Sequence, residues 1–518
     1  MTTESPTSLA DIAIRRARRD SSTPFILTVD EDAADGISTL TYGDAVSRAA
    51  ELARVLADLG VSAGDRVGCY LPNTSAWVVA SLAVWFRGAS VAAVGTMLPG
   101  HEAAVLLGVA DAAVVFTVPG APELAGNFTM VTIDENGSVP GATTLSDDGL
   151  ADLAAVALPE TTSLALAIFT SGTTGRPKGI THTHADIVVA ARRVAAGYAR
   201  TSDYRPDPAP AHLPPGLSFS PFGHMAAITR LSLRMWTGRA LLIVPKFTVT
   251  AAKAVLERFQ FDTLQLTPTM IHMLATTEES LDLRGVKYVT SGTAPLAVAT
   301  RESFEARYEV PVMQAYGMSE VGGVAQERYD DVIAGRRGPG SVGRLAEGVE
   351  VQIRPLDDDR PAGEGEILVR TDEATKEFLG GAPVPIDLDG WFSTGDVGRI
   401  DDGILFITGR VQEKMIVGGF NVYPAEVEEA IRRFPAVQDV VVVGVPDERL
   451  GERPVAGVVW QAEPDVEALV DGLRATLAPY KVPRSIFSLD AVPLTARDKV
   501  DRRRALELAQ AAPAATAG

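Results

Sequence analysis

Apolar positions along this chain recur in two alternating rhythms. From Asp44 to Leu59 (DAVSRAAELARVLADL) they fall three and four residues apart, the spacing of one helical face, and Gly60 supplies a natural stop. Short aliphatic runs at Ala240–Val244, Thr263–Leu266 and Lys287–Val289 are too brief for helices and predict buried strands. Helical spacing returns between them at Thr250–Arg258. Strands alternating with helices predict an α/β fold of βαβ units with largely parallel sheets. No repeat of fixed period is present, which excludes a solenoid or propeller. The most apolar stretch, Ala76 to Phe86, is about half a membrane span and stops at Arg87, so membrane insertion is not expected.

The texture changes near residue 410. A glycine pair (Gly418, Gly419) is followed by a helical pattern at Ala425–Arg433, a strand at Val440–Val443 and another at Val455–Trp460. A helix over Val466–Leu477 and a strand over Ser485–Leu489 complete a compact unit of about a hundred residues. The pattern therefore predicts a large N-terminal region, 1–409, and a small α+β domain, 414–518. The closing residues, AQAAPAATAG, read as a short disordered tail.

Charge and cysteine usage narrow the function. Forty-seven Lys plus Arg against 66 Asp plus Glu leave a net charge of −19, which argues against nucleic acid or an anionic membrane as the main partner. One cysteine, Cys69, excludes a disulfide framework and a thiolate zinc site within the chain. Of the six histidines only His182 and His184 lie close together, so a histidine metal cluster is not expected. The N-terminus lacks the apolar core of a secretory signal, and the expectation is a cytoplasmic protein.

The strongest local signal is AIFTSGTTGRPKGITHTH, Ala167 to His184. An apolar segment, Leu164–Phe169, feeds into Thr170, Ser171, Gly172, Thr173, Thr174 and Gly175, then Arg176, Pro177, Lys178 and Gly179. Glycines let the backbone approach an anion closely, hydroxyls and amides donate to it, and Arg176 and Lys178 add local positive charge. The combination suits a polyphosphate. It is not a Walker A loop, because Gly175 is followed by Arg-Pro-Lys-Gly rather than by Lys and a hydroxyl residue.

TSGTTGRPKG resembles the signature of the adenylate-forming superfamily, which includes acyl-CoA synthetases, peptide-synthetase adenylation domains and beetle luciferases. Further motifs follow in that family's order from about Thr41 to Leu506, nearly the whole chain. In QAYGMSE the resemblance assigns Tyr316 to stacking on adenine, Ser319 to phosphate and Glu320 to magnesium, with Thr170 as the second metal ligand. It places Gly292, Thr293 and Ala294 of SGTAP along the base. In WFSTGDVGRID it makes Asp396 the acceptor for the ribose hydroxyls, assisted by Arg410. PLTARDKVDR resembles the final motif and places the catalytic lysine at Lys499, with Asp498 where the family usually has glycine. GRVQEKMIVGGFNVYPAEVEEAI resembles the hinge, residues 410–413 with Gln412 at its centre, and the loop whose Gly418 and Gly419 line the pantetheine tunnel. SPFGHM puts His224 at the gate beside the reacting carboxylate, and Ala226, Ala227, Gly322 and Gly323 are the small residues of the acyl pocket.

The resemblance thus implies a ligase that uses ATP, Mg²⁺ and coenzyme A to convert a hydrophobic carboxylic acid, through its acyl-adenylate, into a thioester, with the small domain mobile. Three alternatives stay open: loading of a carrier protein, thioester formation from a supplied adenylate (suggested by Asp498 and Gln412), and a non-catalytic nucleotide-binding regulator. A homodimer is compatible with the sequence, and the acid itself is not specified by it.

Overall fold

The computed structural model describes residues 8–29, 36–139, 158–171, 177–201, 214–356, 363–381, 383–495 and 500–512. The chain divides into two compact units, one of residues 1–265, 279–286 and 373–384, the other of 266–278, 287–372 and 385–518.

The first unit is α/β. Its seven-stranded sheet runs in the order Phe378–Leu379, Pro177–Thr183, Leu164–Ser171, Ser90–Gly95, Arg66–Leu71, Val114–Thr117, Thr129–Thr132. The central pairings are parallel, as the βαβ pattern requires, and the first two are antiparallel. The apolar run after Thr74 forms the helix Ser75–Phe86, every residue of which is buried, so its hydrophobicity serves the core. Among the described residues no helix is long and apolar enough to cross a membrane. The helix expected from Asp44 spans Tyr42–Asp58; it starts earlier because Thr41 and Asp44 form a reciprocal capping box. Cys69 is buried in the central strand, and burial pushes its thiol far above the ordinary range.

In the second unit the expectation of largely parallel sheets fails. The strands Tyr288–Ser291 and Val312–Met318 are parallel, but from there the order Gly322–Gln326, Ser341–Leu345, Ile404–Arg410, Phe392–Asp401, Gly365–Arg370, Glu350–Pro355 is antiparallel throughout. Turns such as Ser319–Val321 and Asp402–Gly403 are too short for a crossover helix and admit only hairpins.

The residues after 414 build a separate sheet: Phe420–Val422, Met415–Val417, Gly451–Trp460 and Val437–Asp447, with Ser485–Ser488 alongside Gly451–Trp460. The helices Pro424–Arg432 and Val466–Thr476 cover it through Val427, Ile431, Leu469 and Leu473. Of the expected tail, residues 509–511 end the helix Arg502–Ala511, and 513–518 lie outside the described residues. Ala505 and Ala509, one turn apart, pack on Val441, Val443 and Val455, which gives the helix Arg502–Ala511 a reason to order. Arg502 anchors its start, donating to the buried Glu428 at 2.5 Å and pairing with Glu413 at 3.0 Å.

Candidate active site

The densest arrangement of expected site residues lies in the second unit. Asp396 and Arg410 face each other across the hairpin formed by Phe392–Asp401 and Ile404–Arg410. Arg410 Nε donates to Asp396 Oδ1 at 2.7 Å, and the Tyr316 hydroxyl donates to Asp396 Oδ2 at 2.7 Å. Asp396 is only 3% exposed. Its backbone amide donates to Thr394 Oγ1, which itself donates to the Ile367 carbonyl, so the carboxylate is fixed from below as well. Burial, and then the Asp396 charge, hold the Tyr316 phenol well above its ordinary pKa, so it stays a donor. Burial works against the charge on Arg410, yet Asp396 and Glu413 outweigh it and raise the guanidinium above its usual value. Tyr316, Asp396 and Arg410 thus form one oriented anion with two donors.

Tyr316 lies on the strand Val312–Met318, whose continuation explains the glycine in QAYGMSE. A side chain at Gly317 would stand 2.4 Å from the Gly322 carbonyl oxygen, so the hairpin closes only without one. Ser319 and Glu320 occupy its turn, both half-buried, and Gly322 and Gly323 begin the return strand, Gly322 with φ of +74°. The strand beside Tyr316 ends at Ser291 and leads into Gly292, Thr293 and Ala294. A Cβ at Gly292 would sit 3.2 Å from the Ala315 carbonyl oxygen, and Thr293 has φ of +74°. Left-handed backbone is uncommon for a β-branched residue, and such strain persists where the surroundings impose it and concentrates at functional sites.

In the first unit, Thr170 and Lys178 face each other across the Leu164–Ser171 and Pro177–Thr183 hairpin, with Ser171 opposite Pro177. Thr170 Oγ1 is buried and, among the described residues, has no hydrogen-bond partner. An orphaned hydroxyl oxygen of this kind suits a hard cation or phosphate. Lys178 Nζ lies 4.2 Å from the centre of the Phe378 ring. His224 is the N-cap residue of the helix Met225–Thr237 and is half-buried; Ala226 is half-buried and Ala227 fully buried on its first turn. Phe222, just before them, stacks on Trp77 at 4.4 Å.

Gly418 and Gly419 form the two-residue turn between Met415–Val417 and Phe420–Val422, with φ of +60° and +88°. Positive φ at both central positions is the hairpin geometry for which glycine is preferred. Gln412 lies in a single 3₁₀ turn, Val411–Glu413. Gly172, Thr173, Thr174, Gly175, Asp498 and Lys499 lie outside the described residues. Among the described residues no three His, Cys, Asp or Glu side chains gather as a metal cage. Thr394 was not singled out in the sequence, although it stands inside the motif that carries Asp396.

Comparison with known proteins gives the family. Residues 15–379 match the family model described as AMP-binding enzyme, and 426–499 match AMP-binding enzyme C-terminal domain. The chain is 31% identical over 476 residues to the long-chain-fatty-acid–CoA ligase FadD13 of Mycobacterium tuberculosis, covering 89% of this chain and 91% of that one. It is 33% identical over 488 residues to the same organism's 3-[(3aS,4S,7aS)-7a-methyl-1,5-dioxo-octahydro-1H-inden-4-yl]propanoyl:CoA ligase, covering 88% and 91%. The crystal structure of ATP-bound MatB from Rhodopseudomonas palustris superposes with a TM-score of 0.80 at 26% identity, over 96% of this chain and 98% of that one. Matched along most of its length, this chain belongs to the AMP-binding enzyme family.

Proposed function

We propose that this protein is an ATP-dependent acyl-CoA ligase for a hydrophobic carboxylic acid. The observation that carries the reading is the buried Asp396 carboxylate, hydrogen-bonded between Tyr316 and Arg410. A fixed carboxylate flanked by an aromatic ring is suited to a ribose with its base: Asp396 accepts from the ribose hydroxyls, Tyr316 stacks on adenine, and the Gly292–Thr293–Ala294 turn lines the base edge. Ser319, Ser171, Lys178 and the segment Gly172–Gly175 take the phosphates. Thr170 and Glu320 would hold Mg²⁺, which when bound offsets phosphate charge.

The reaction joins two anions, so its barrier is largely electrostatic. The carboxylate attacks the α-phosphorus, pyrophosphate leaves, and Lys499 offsets the charge that develops. The thiol of CoA, approaching past Gly418 and Gly419, then attacks the acyl carbonyl and AMP leaves. The family resemblance assigns the acid to His224, with Ala226, Ala227, Gly322 and Gly323 as its pocket candidates. The small residues leave room for an apolar chain, and the names of the two mycobacterial relatives, a fatty-acid ligase and a ring-bearing propanoate ligase, support a hydrophobic acid. ATP and CoA as co-substrates fit a cytoplasmic setting.

The test is pyrophosphate release over a panel of fatty, aromatic and polycyclic acids, with and without CoA. Acid-dependent pyrophosphate, followed by AMP and a thioester once CoA is present, supports the reading. ATP binding without turnover for every acid would replace it with a nucleotide-binding regulator.

A further inference from the structure

Beneath the nucleotide residues lies a buried polar group that the reaction does not use. The strand Val312–Met318 is paired on one side with Tyr288–Ser291, where Ser291 neighbours Gln314. On the other side its partner strand Gly322–Gln326 begins to pair only at Ala315. The Gln314 amide therefore lacks a strand partner, and it donates instead to Glu327 Oε2 at 2.9 Å. The Glu327 amide returns a bond to the Gln314 carbonyl at 2.8 Å, and Gln314 Nε2 donates to the Ser341 carbonyl at 3.1 Å. Two residues earlier, the Val312 amide goes to Glu305 Oε1 at 2.7 Å, and Glu305 is gripped by Arg337.

Glu327 is 3% exposed and Arg301, on the helix Val298–Tyr308, is 4% exposed. Among the described residues, Arg301 Nε and Nη1 and Ser291 Oγ are buried without a hydrogen-bond partner. A backbone amide could be satisfied by a neutral acceptor; a carboxylate acceptor is about twice as strong. A buried acid is costly to keep here, and its two bonds fall on the strand that carries Tyr316.

We infer that Glu327 is a positioning residue for the nucleotide, locking the Tyr316 strand in register through Gln314. This rests on the nucleotide site proposed above. Gln314 and Tyr316 are two residues apart and point to the same face, so a slackened Gln314 displaces the ring directly.

The test is Glu327→Ala against Glu327→Gln in the full chain, with AMP affinity by calorimetry and separate KM values for ATP and for the acid. Losing one charge-assisted bond weakens AMP binding and raises KM for ATP about tenfold, while KM for the acid stays within twofold. Glu327→Gln recovers most of the loss, because its amide oxygen still accepts from Gln314. Should Glu327→Ala fail to fold, Glu327→Asp carries the same test, its shorter carboxylate drawn back from the Gln314 amide and AMP binding weakened about three- to tenfold. Unchanged AMP affinity in the folded variants, or equal shifts in the ATP and acid constants, overturns the inference alone. Absence of AMP binding by the unaltered chain overturns the nucleotide site and this inference with it.

Discussion

Replacing Asp396 by asparagine keeps the shape of the side chain and removes its charge. Two donors point at the carboxylate from opposite sides, Tyr316 Oη and Arg410 Nε, each at 2.7 Å. An amide offers one acceptor and one donor group. Arginine has no acceptor, so the amide oxygen must turn to Arg410 and its NH₂ must face Tyr316, whose hydroxyl then reverses. The ribose loses a charged acceptor and meets a disordered tyrosine. A hydrogen bond to a charged group contributes about 1.5–3 kcal/mol, so nucleotide affinity should fall about 10- to 100-fold. The loss to folding is smaller than burial of Asp396 alone suggests, because the Arg410 side chain is 55% exposed and water screens its side of the pair. Calorimetric titration of AMP into Asp396→Asn, Tyr316→Phe and the double variant measures both quantities. The single effects should not add, with a coupling of about 0.5–3 kcal/mol, because both act on one hydrogen-bonded unit. An Asp396→Asn affinity within twofold of the unaltered chain would refute the ribose assignment.

Other expectations follow from the same arrangement. Lys499→Ala should slow adenylation about 10²–10³-fold and leave thioester formation from supplied acyl-adenylate nearly unchanged; equal losses in both steps would remove Lys499 from the first. Gly418→Val forces a branched residue to φ of +60°, with its Cβ 3.2 Å from Leu450, a strain of about 1–2 kcal/mol. It should depress CoA-dependent AMP release far more than pyrophosphate release, and a uniform loss would argue against a CoA-lining role. Desolvation lowers the His182 and His184 imidazoles from 6.5 to about 4. Both bind protons more readily when unfolded, so the stability they confer is complete above pH 6.5 and is lost as pH falls towards 4. At about 1.4 kcal/mol per pH unit each contributes about 3 kcal/mol. His184→Phe should therefore flatten the fall in melting temperature between pH 6.5 and 4.5, and an unchanged slope would show that the imidazole is not the cause.

How much of this was visible beforehand depended on whether the signal was local. The strand Thr263–Leu266 and the helix Val249–Arg258 match their apolar spacing to within a residue, because each buries one face against a core. The antiparallel sheet of the second unit was not legible, since strands such as Gly322–Gln326 (GGVAQ) have no alternation and owe their place to the Gly317 contact. Motifs point to Tyr316, Asp396 and Arg410, but the Tyr316–Asp396 hydrogen bond joins residues 80 apart in sequence, which spacing cannot reveal. Glu327 and Arg301 carried no mark at all. An isolated acid and an isolated base look like solvated charges until the fold buries both. At the start of the expected tail, Ala509 joins the cluster of Ala505 with Val441, Val443 and Val455, a packing that composition alone does not show.

The account stands most directly on where the bond to phosphorus forms. Incubating the protein with ATP, CoA and a turned-over acid labelled with oxygen-18 in its carboxylate, then weighing the AMP by mass spectrometry, reads this step. Attack on the α-phosphorus predicts one labelled oxygen in each AMP and none in pyrophosphate. Unlabelled AMP, or label in inorganic phosphate with ADP as co-product, would contradict it.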